Sequence, residues 1–180
     1  MIWLSTSTLV RLRDQLRARG QRPSVVSPMD ATSPEASELA LVSAEYGPLC
    51  DAMYLMMSAD GDVSGEEREV LKGALRNLSN DEVRSVQIEA MLDSAKQRIA
   101  ASGRDAMFHA IMETLHDDTA RGEVTFVLAA AIAFADNAVA DEENELLNTF
   151  AEGLGISEER ANELLDSVEQ DLGAQQQPAS

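Results

Sequence analysis

The 180-residue sequence predicts an all-α protein, a helical bundle of about eight helices, and three observations carry that expectation. Aromatic residues make up only 4% of the chain, so the aromatic and β-branched runs that strands favour are scarce. From Glu38 onward the apolar residues recur at helical spacing. The breaks between these periodic segments are helix stops and starts, not hairpin turns. A chain of this length closes one core, burying roughly 70% of the surface its unfolded form exposes.

The elements follow in order. Residues 1–36 read as a basic extension and linker, residues 37–172 as the helical domain and residues 173–180 as a tail. A first short helix runs from Glu38 to Glu45, and Gly47-Pro48 ends it while opening a second to about Ala59. Asp60 to Ser64 is a loop, and Gly65 to Leu78 is the third helix. Ser79 and Glu82 have the spacing of a capping box, predicting a fourth helix from there to about Ala101, with Ser102-Gly103 as its stop. Arg104 to His116 comes next. Gly122 to Ala135 is apolar almost all round and belongs at the centre of the bundle. Asp136 to Ala140 is a second loop, followed by helices at Asp141–Gly153 and Ser157 to about Leu172.

Charge is distributed unevenly. Arg11, Arg13, Arg17, Arg19 and Arg22 give the first 22 residues a charge of +4, whereas the rest of the chain carries −22. A field of that sign repels nucleic acid and attracts cations or basic partner surfaces. Cys50 is the single cysteine, which excludes an intramolecular disulfide and fits a reducing, cytoplasmic setting. The longest apolar run, Val127 to Ala135, is too short to cross a bilayer. For the N-terminal segment three readings stay open: a basic amphipathic helix lying on an anionic membrane through residues 1–28, an extension outside the fold, and synthesis starting at Met29. On the last two, residues 1–28 are dispensable for folding.

A shift of 76 positions places Ala59–Leu78 over Ala135–Leu154, and eight of the twenty positions become identical. Each copy is an apolar helix, an acidic loop and an acidic helix start, which predicts an internal two-fold repeat. Within the first copy, the run Ala59-Asp60-Gly61-Asp62-Val63-Ser64-Gly65-Glu66-Glu67 resembles the A-D-G-x-[VI]-x-x-x-E signature of the tellurite-resistance TerB-like proteins. Ala135 to Glu143 resembles the matching signature of their second half, with Asn137 and Ala138 in place of Gly-Asp. The likeness runs from about Leu41 to Leu172. It implies an all-helical fold, a link to tellurite resistance and to metal or envelope stress, and no enzymatic activity. A related domain is joined to J-domain co-chaperones.

Asp60, Asp62 and Ser64 occupy positions 1, 3 and 5 of an EF-hand-like loop, with Gly65 at position 6. Position 12 is Leu71, so the loop is no true EF-hand, and Glu67 in the first helical turn is the substitute carboxylate. Asp136 and Glu143 are the equivalent pair in the second copy. Oxygen donors alone select calcium or magnesium over softer metals. The competing explanation is structural, since Ser64 and Glu67 have capping-box spacing and first-turn acids favour the helix dipole. His109, Glu113 and His116 form one stripe that reads as solvated or packed side chains, and Cys50, Met53, Tyr54, Met56 and Met57 read as core.

The expected function is therefore a non-enzymatic stress-response module whose acidic loops take a divalent cation or a protein partner with a basic surface. Two rivals are a metal-dependent enzyme built on Asp60, Glu67, Asp136 and Glu143, and a membrane-attached interaction domain using the basic N-terminal helix.

Overall fold

The computed structural model describes residues 6–18, 34–59, 61, 63–134 and 141–175. Among them are eight α-helices and no strand: α1 (Thr6–Ala18), α2 (Pro34–Met57), α3 (Gly65–Leu78), α4 (Ser85–Ser102), α5 (Arg104–Leu115), α6 (Thr119–Ala133), α7 (Asp141–Gly153) and α8 (Glu158–Gln175). The number matches the expectation, but by compensation. One expected break is absent and one helix arises where none belonged to the domain.

The absent break is at Gly47-Pro48. The two short helices expected there are a single helix, α2, with Pro48 inside it. Proline lacks the N–H that would bond the carbonyl four residues back, here that of Ala44. Arg121 of α6 supplies the missing donor, its Nη1 reaching the carbonyl oxygens of Ala44 at 3.1 Å and Glu45 at 3.2 Å. Asp118 and Glu45 lie at 3.7 and 3.8 Å from the guanidinium and balance its charge.

The additional helix is α1. Leu9, Leu12 and Leu16 are buried at 3%, 2% and 7% exposure and belong to the main core cluster. Residues 6–18 are thus packed in the folded body, whereas residues 1–5 and 19–28 lie outside the described residues. A stripe at i, i+3 and i+7 covers one helix face, and α1 lays that face on α3 and α6.

The start of α4 is also corrected. Ser79 does not open a helix but closes α3, its N–H bonding the Leu75 carbonyl at 3.0 Å. Asn80 and Asp81 follow in the left-handed region, with φ of 54° and 60°. Asp81 is held there by its N–H on the Arg76 carbonyl at 2.8 Å and by the Arg76 guanidinium on its carboxylate. The helix begins at Ser85, where the Gln87 side chain accepts from the Arg84 N–H at 2.8 Å.

Two apolar helices form the centre. Every residue from Pro48 to Ser58 in and just after α2 is buried, as is every residue from Val124 to Ala133 in α6, and the two helices pack on each other. The helices α4 and α5 cover α2, while α7 and α8 cover α6. A buried helix is followed by an acidic one at α2–α3 and again at α6–α7. At the end of α7 a Cβ on Gly153 would stand 2.5 Å from Met112 Sδ and 3.1 Å from Phe108 Cζ, so α5 and α7 approach through a glycine.

Candidate functional site

The first acidic loop is pinned at both ends. At its start the carbonyls of Leu55 in the last turn of α2 and of Ser58 just beyond it accept from the Arg104 guanidinium, with Nη2 at 3.1 Å from the Leu55 oxygen. Gly61 N–H bonds back to the Ser58 carbonyl at 3.3 Å. At its end Val63 is buried, and Ser64 caps α3 with an extended backbone at φ −69° and ψ 168°. Ser64 Oγ accepts from the Glu67 N–H at 3.3 Å and Glu67 Oε2 accepts from the Ser64 N–H at 2.6 Å. The capping box predicted from the spacing is therefore formed, and one oxygen of the substitute ligand is engaged in it.

Of the other expected ligands, Asp60, Asp62 and Asp136 lie outside the described residues. Glu143 is partly buried in the first turn of α7. Among the described residues no group of three or more histidine, cysteine or carboxylate side chains converges as a metal centre. His109 and Glu113 on α5 and His116 at its C-cap are all exposed, His109 resting edge-on against Phe108. Cys50 and Met53 have no solvent exposure, and burial pushes the Cys50 thiol far above its ordinary range, so this cluster is packing and holds no available thiolate.

Basic side chains near the first loop are tied to α4. Arg68 bridges Glu89 at 2.6 Å and Asp93 at 2.8 Å, and Lys72 bridges Glu69 at 2.6 Å and Glu89 at 2.8 Å. These contacts hold the Glu89 carboxyl below its usual range. Arg68 and Lys72 of α3 thus neutralise carboxylates of α4.

A second feature was not anticipated. A cleft of about 240 Å³ opens between α2, α4 and α5, lined by Ser43, Gly47, Asp51, Arg98, Ile111 and Thr114 among others. Asp51 is 6% exposed and its carboxylate is bonded by Arg98 Nη2. Burial raises the Asp51 carboxyl to about 6, and Arg98 opposes the rise. The signal in the sequence was a single carboxylate inside the otherwise apolar run Leu49–Met57. Its partner is 47 residues away, out of reach of local spacing.

The family model described as tellurite resistance protein TerB matches residues 49–166, well over half of the chain. No curated protein and no solved structure matches. The matched region holds both acidic loops, most of the core and the Asp51–Arg98 pair. It leaves out α1, the first half of α2 and the last turns of α8.

Proposed function

The chain belongs to the tellurite resistance protein TerB family, and from that premise we propose that it is a non-enzymatic stress-response module whose acidic loops take a divalent hard cation, calcium or magnesium. The observation that supports this reading is the pinning of the first loop between Arg104 and the Ser64–Glu67 box. Carboxylates on a short segment with immobilised ends lose little entropy on meeting a cation. Asp60, Asp62 and Ser64 are the oxygen donors of this loop, and Glu67 completes the set with its second oxygen. Asp136 and Glu143 form a weaker site, because Asn137, Ala138 and Ala140 offer fewer donors than the first loop.

Capping and cation binding make separable demands on Glu67. Glutamine serves as well as glutamate in a capping box, so Glu67→Gln keeps the helix start and removes only the charge. Calorimetric titration of calcium or magnesium into the wild type, Asp60→Asn, Glu67→Gln and Asp136→Asn tests the proposal. The expected result is saturable binding that is lost in Asp60→Asn, weakened in Glu67→Gln and partly retained in Asp136→Asn. The melting temperature should rise with it, since binding stabilises the fold by about 2.7 kcal/mol at a hundredfold excess over Kd. Absence of saturable heat and of any thermal shift at millimolar cation would leave the acids as caps and solvated surface.

A second reading, docking of a basic partner, is favoured by the state of the body's own cations. Arg68, Lys72, Arg76, Arg84, Arg98 and Arg160 are each engaged by a carboxylate of this chain. The surplus negative charge therefore faces outward. Recovery of a partner with the tagged protein, released by salt, is the corresponding test.

A further inference from the structure

The contacts of α1 divide the molecule in an unexpected way. The family match begins at residue 49 and stops at residue 166, and the polar partners of α1 include residues on the far side of that limit. Thr8 donates to Asp171, and Arg11 reaches Ser167 Oγ at 2.9 Å and Asp171 at 3.4 Å. The two parts of this chain that lie outside the family core thus clasp each other, at one end of α1.

Along the rest of α1 the rim is equally matched. Arg17 meets Glu82 at 2.9 Å, Arg13 bonds Asn80 Oδ1 at 3.1 Å, and Gln15 reaches Glu123 at 3.3 Å. Beneath this rim the three leucines of α1 enter the cluster that also holds Leu71, Leu75 and Leu78 of α3. The seat has an apolar floor between α3 and α6 and a rim whose acids are Asp171 of α8 and Glu82 of the turn before α4, Glu123 of α6 being held by Arg160. Its occupant is a short helix with leucines on one face and arginines beside them, and the connection to α2 is residues 19–33.

We infer that this seat is a docking groove for a basic amphipathic helix of a partner protein, and that α1 occupies it in cis as a built-in competitor. The inference stands apart from the acidic loops and does not depend on their cation. Charge complementarity identifies the partner's chemistry, with leucine or an equivalent at i, i+3 and i+7 and arginine or lysine positioned for Asp171 and Glu82. Release of α1 would open the groove without dismantling the family core.

The probe is a fluorescent peptide of residues 6–18, titrated into the full-length wild type and into the full-length Arg11→Glu, Arg17→Glu double variant. Both arginines are about half exposed, at 53% and 52%, so the change weakens the latch and spares the core. The peptide should bind the double variant at least tenfold more tightly than the wild type, and a peptide with its three leucines replaced by serine should not bind. In hydrogen exchange, the α1 amides of the wild type should exchange at least tenfold faster than those of α2 and α6, by an opening of α1 alone. Failure of the peptide to bind the double variant overturns the inference, as does exchange of α1 only together with α2 and α6. A swapped dimer by light scattering, with no peptide binding, overturns the partner and assigns the groove to a second copy of this chain.

Discussion

At the scale of single residues, Asp51 is a carboxylate buried in an otherwise apolar stretch of α2. Its carboxyl ordinarily titrates at 3.8 and burial lifts it to about 6 in the fold, with Arg98 only partly offsetting the desolvation. A folded value above the unfolded one means the native state holds the extra proton, so this residue's contribution is fullest below 3.8 and is lost as pH rises through about 6. Glu123 works in the opposite sense. Arg160 grips both of its oxygens at 2.8 and 2.9 Å and holds it below the usual range, so its contribution is present above that range and lost as pH falls through the lowered value. Asp51→Asn removes the first effect and leaves the second. Measured by urea denaturation, the stability of the variant relative to the wild type should improve by on the order of 2 kcal/mol between about pH 4.5 and about pH 7.5. A difference that stays flat across this interval would show that Asp51 titrates normally.

At the scale of elements, the sequence was legible wherever a helix start or stop was satisfied locally and misleading where the partner came from elsewhere. Periodicity placed α3, α5, α7 and α8 within a few residues, and the Ser64–Glu67 spacing gave a capping box that is formed. Pro48 was read as a break because its local consequence is a lost hydrogen bond. The compensation is Arg121, more than seventy residues later, and nothing near Pro48 announces it. Ser79 and Glu82 carried the letters of a box, yet Asn80 and Asp81 take left-handed conformations that no helix start can contain. The Pro48–Arg121 relation predicts a measurable coupling. Arg121→Ala should cost about 3 kcal/mol or more, since it takes the side-chain donor from the half-buried Ala44 carbonyl and the guanidinium charge from beside the 6%-exposed Asp118. Lysine at the same position should not restore the loss, because a single ammonium cannot bridge two carbonyls and a carboxylate as the guanidinium fork does. With Pro48→Ala in place the Ala44 carbonyl regains its N–H, and removal of Arg121 should cost about 1 kcal/mol less in a double-mutant cycle followed by chemical denaturation.

At the scale of the whole molecule, the decisive arrangement is a strongly acidic body wrapped against its own basic head. Composition showed both halves and could not show that they meet. A leucine stripe flanked by arginines describes a helix for a lipid surface, a partner or the chain's own acidic groove equally well, and the discriminating residues, Ser167 and Asp171, lie more than 150 positions away. In the fold the leucines that a membrane helix would insert are buried, and Arg11 and Arg17 are paired with carboxylates. The candidate site was legible only in part for a related reason. The donor types of a loop can be read from spacing, whereas Arg104, which anchors its near end, comes from another helix. Removing residues 1–28 tests the balance that holds α1. Burial of the three leucines stabilises the seated helix and the entropy of ordering its backbone opposes that gain. The truncated chain should still melt cooperatively, less stable by about 2 kcal/mol and lower in midpoint by roughly 4–8 °C. It should also bind a hydrophobic dye that the full chain excludes, because the leucines of α3 lose their cover. Coincident melts with no gain in dye binding would mean that α1 leaves its seat in solution without consequence, and the stripe of Leu9, Leu12 and Leu16 would then have no part in holding the fold.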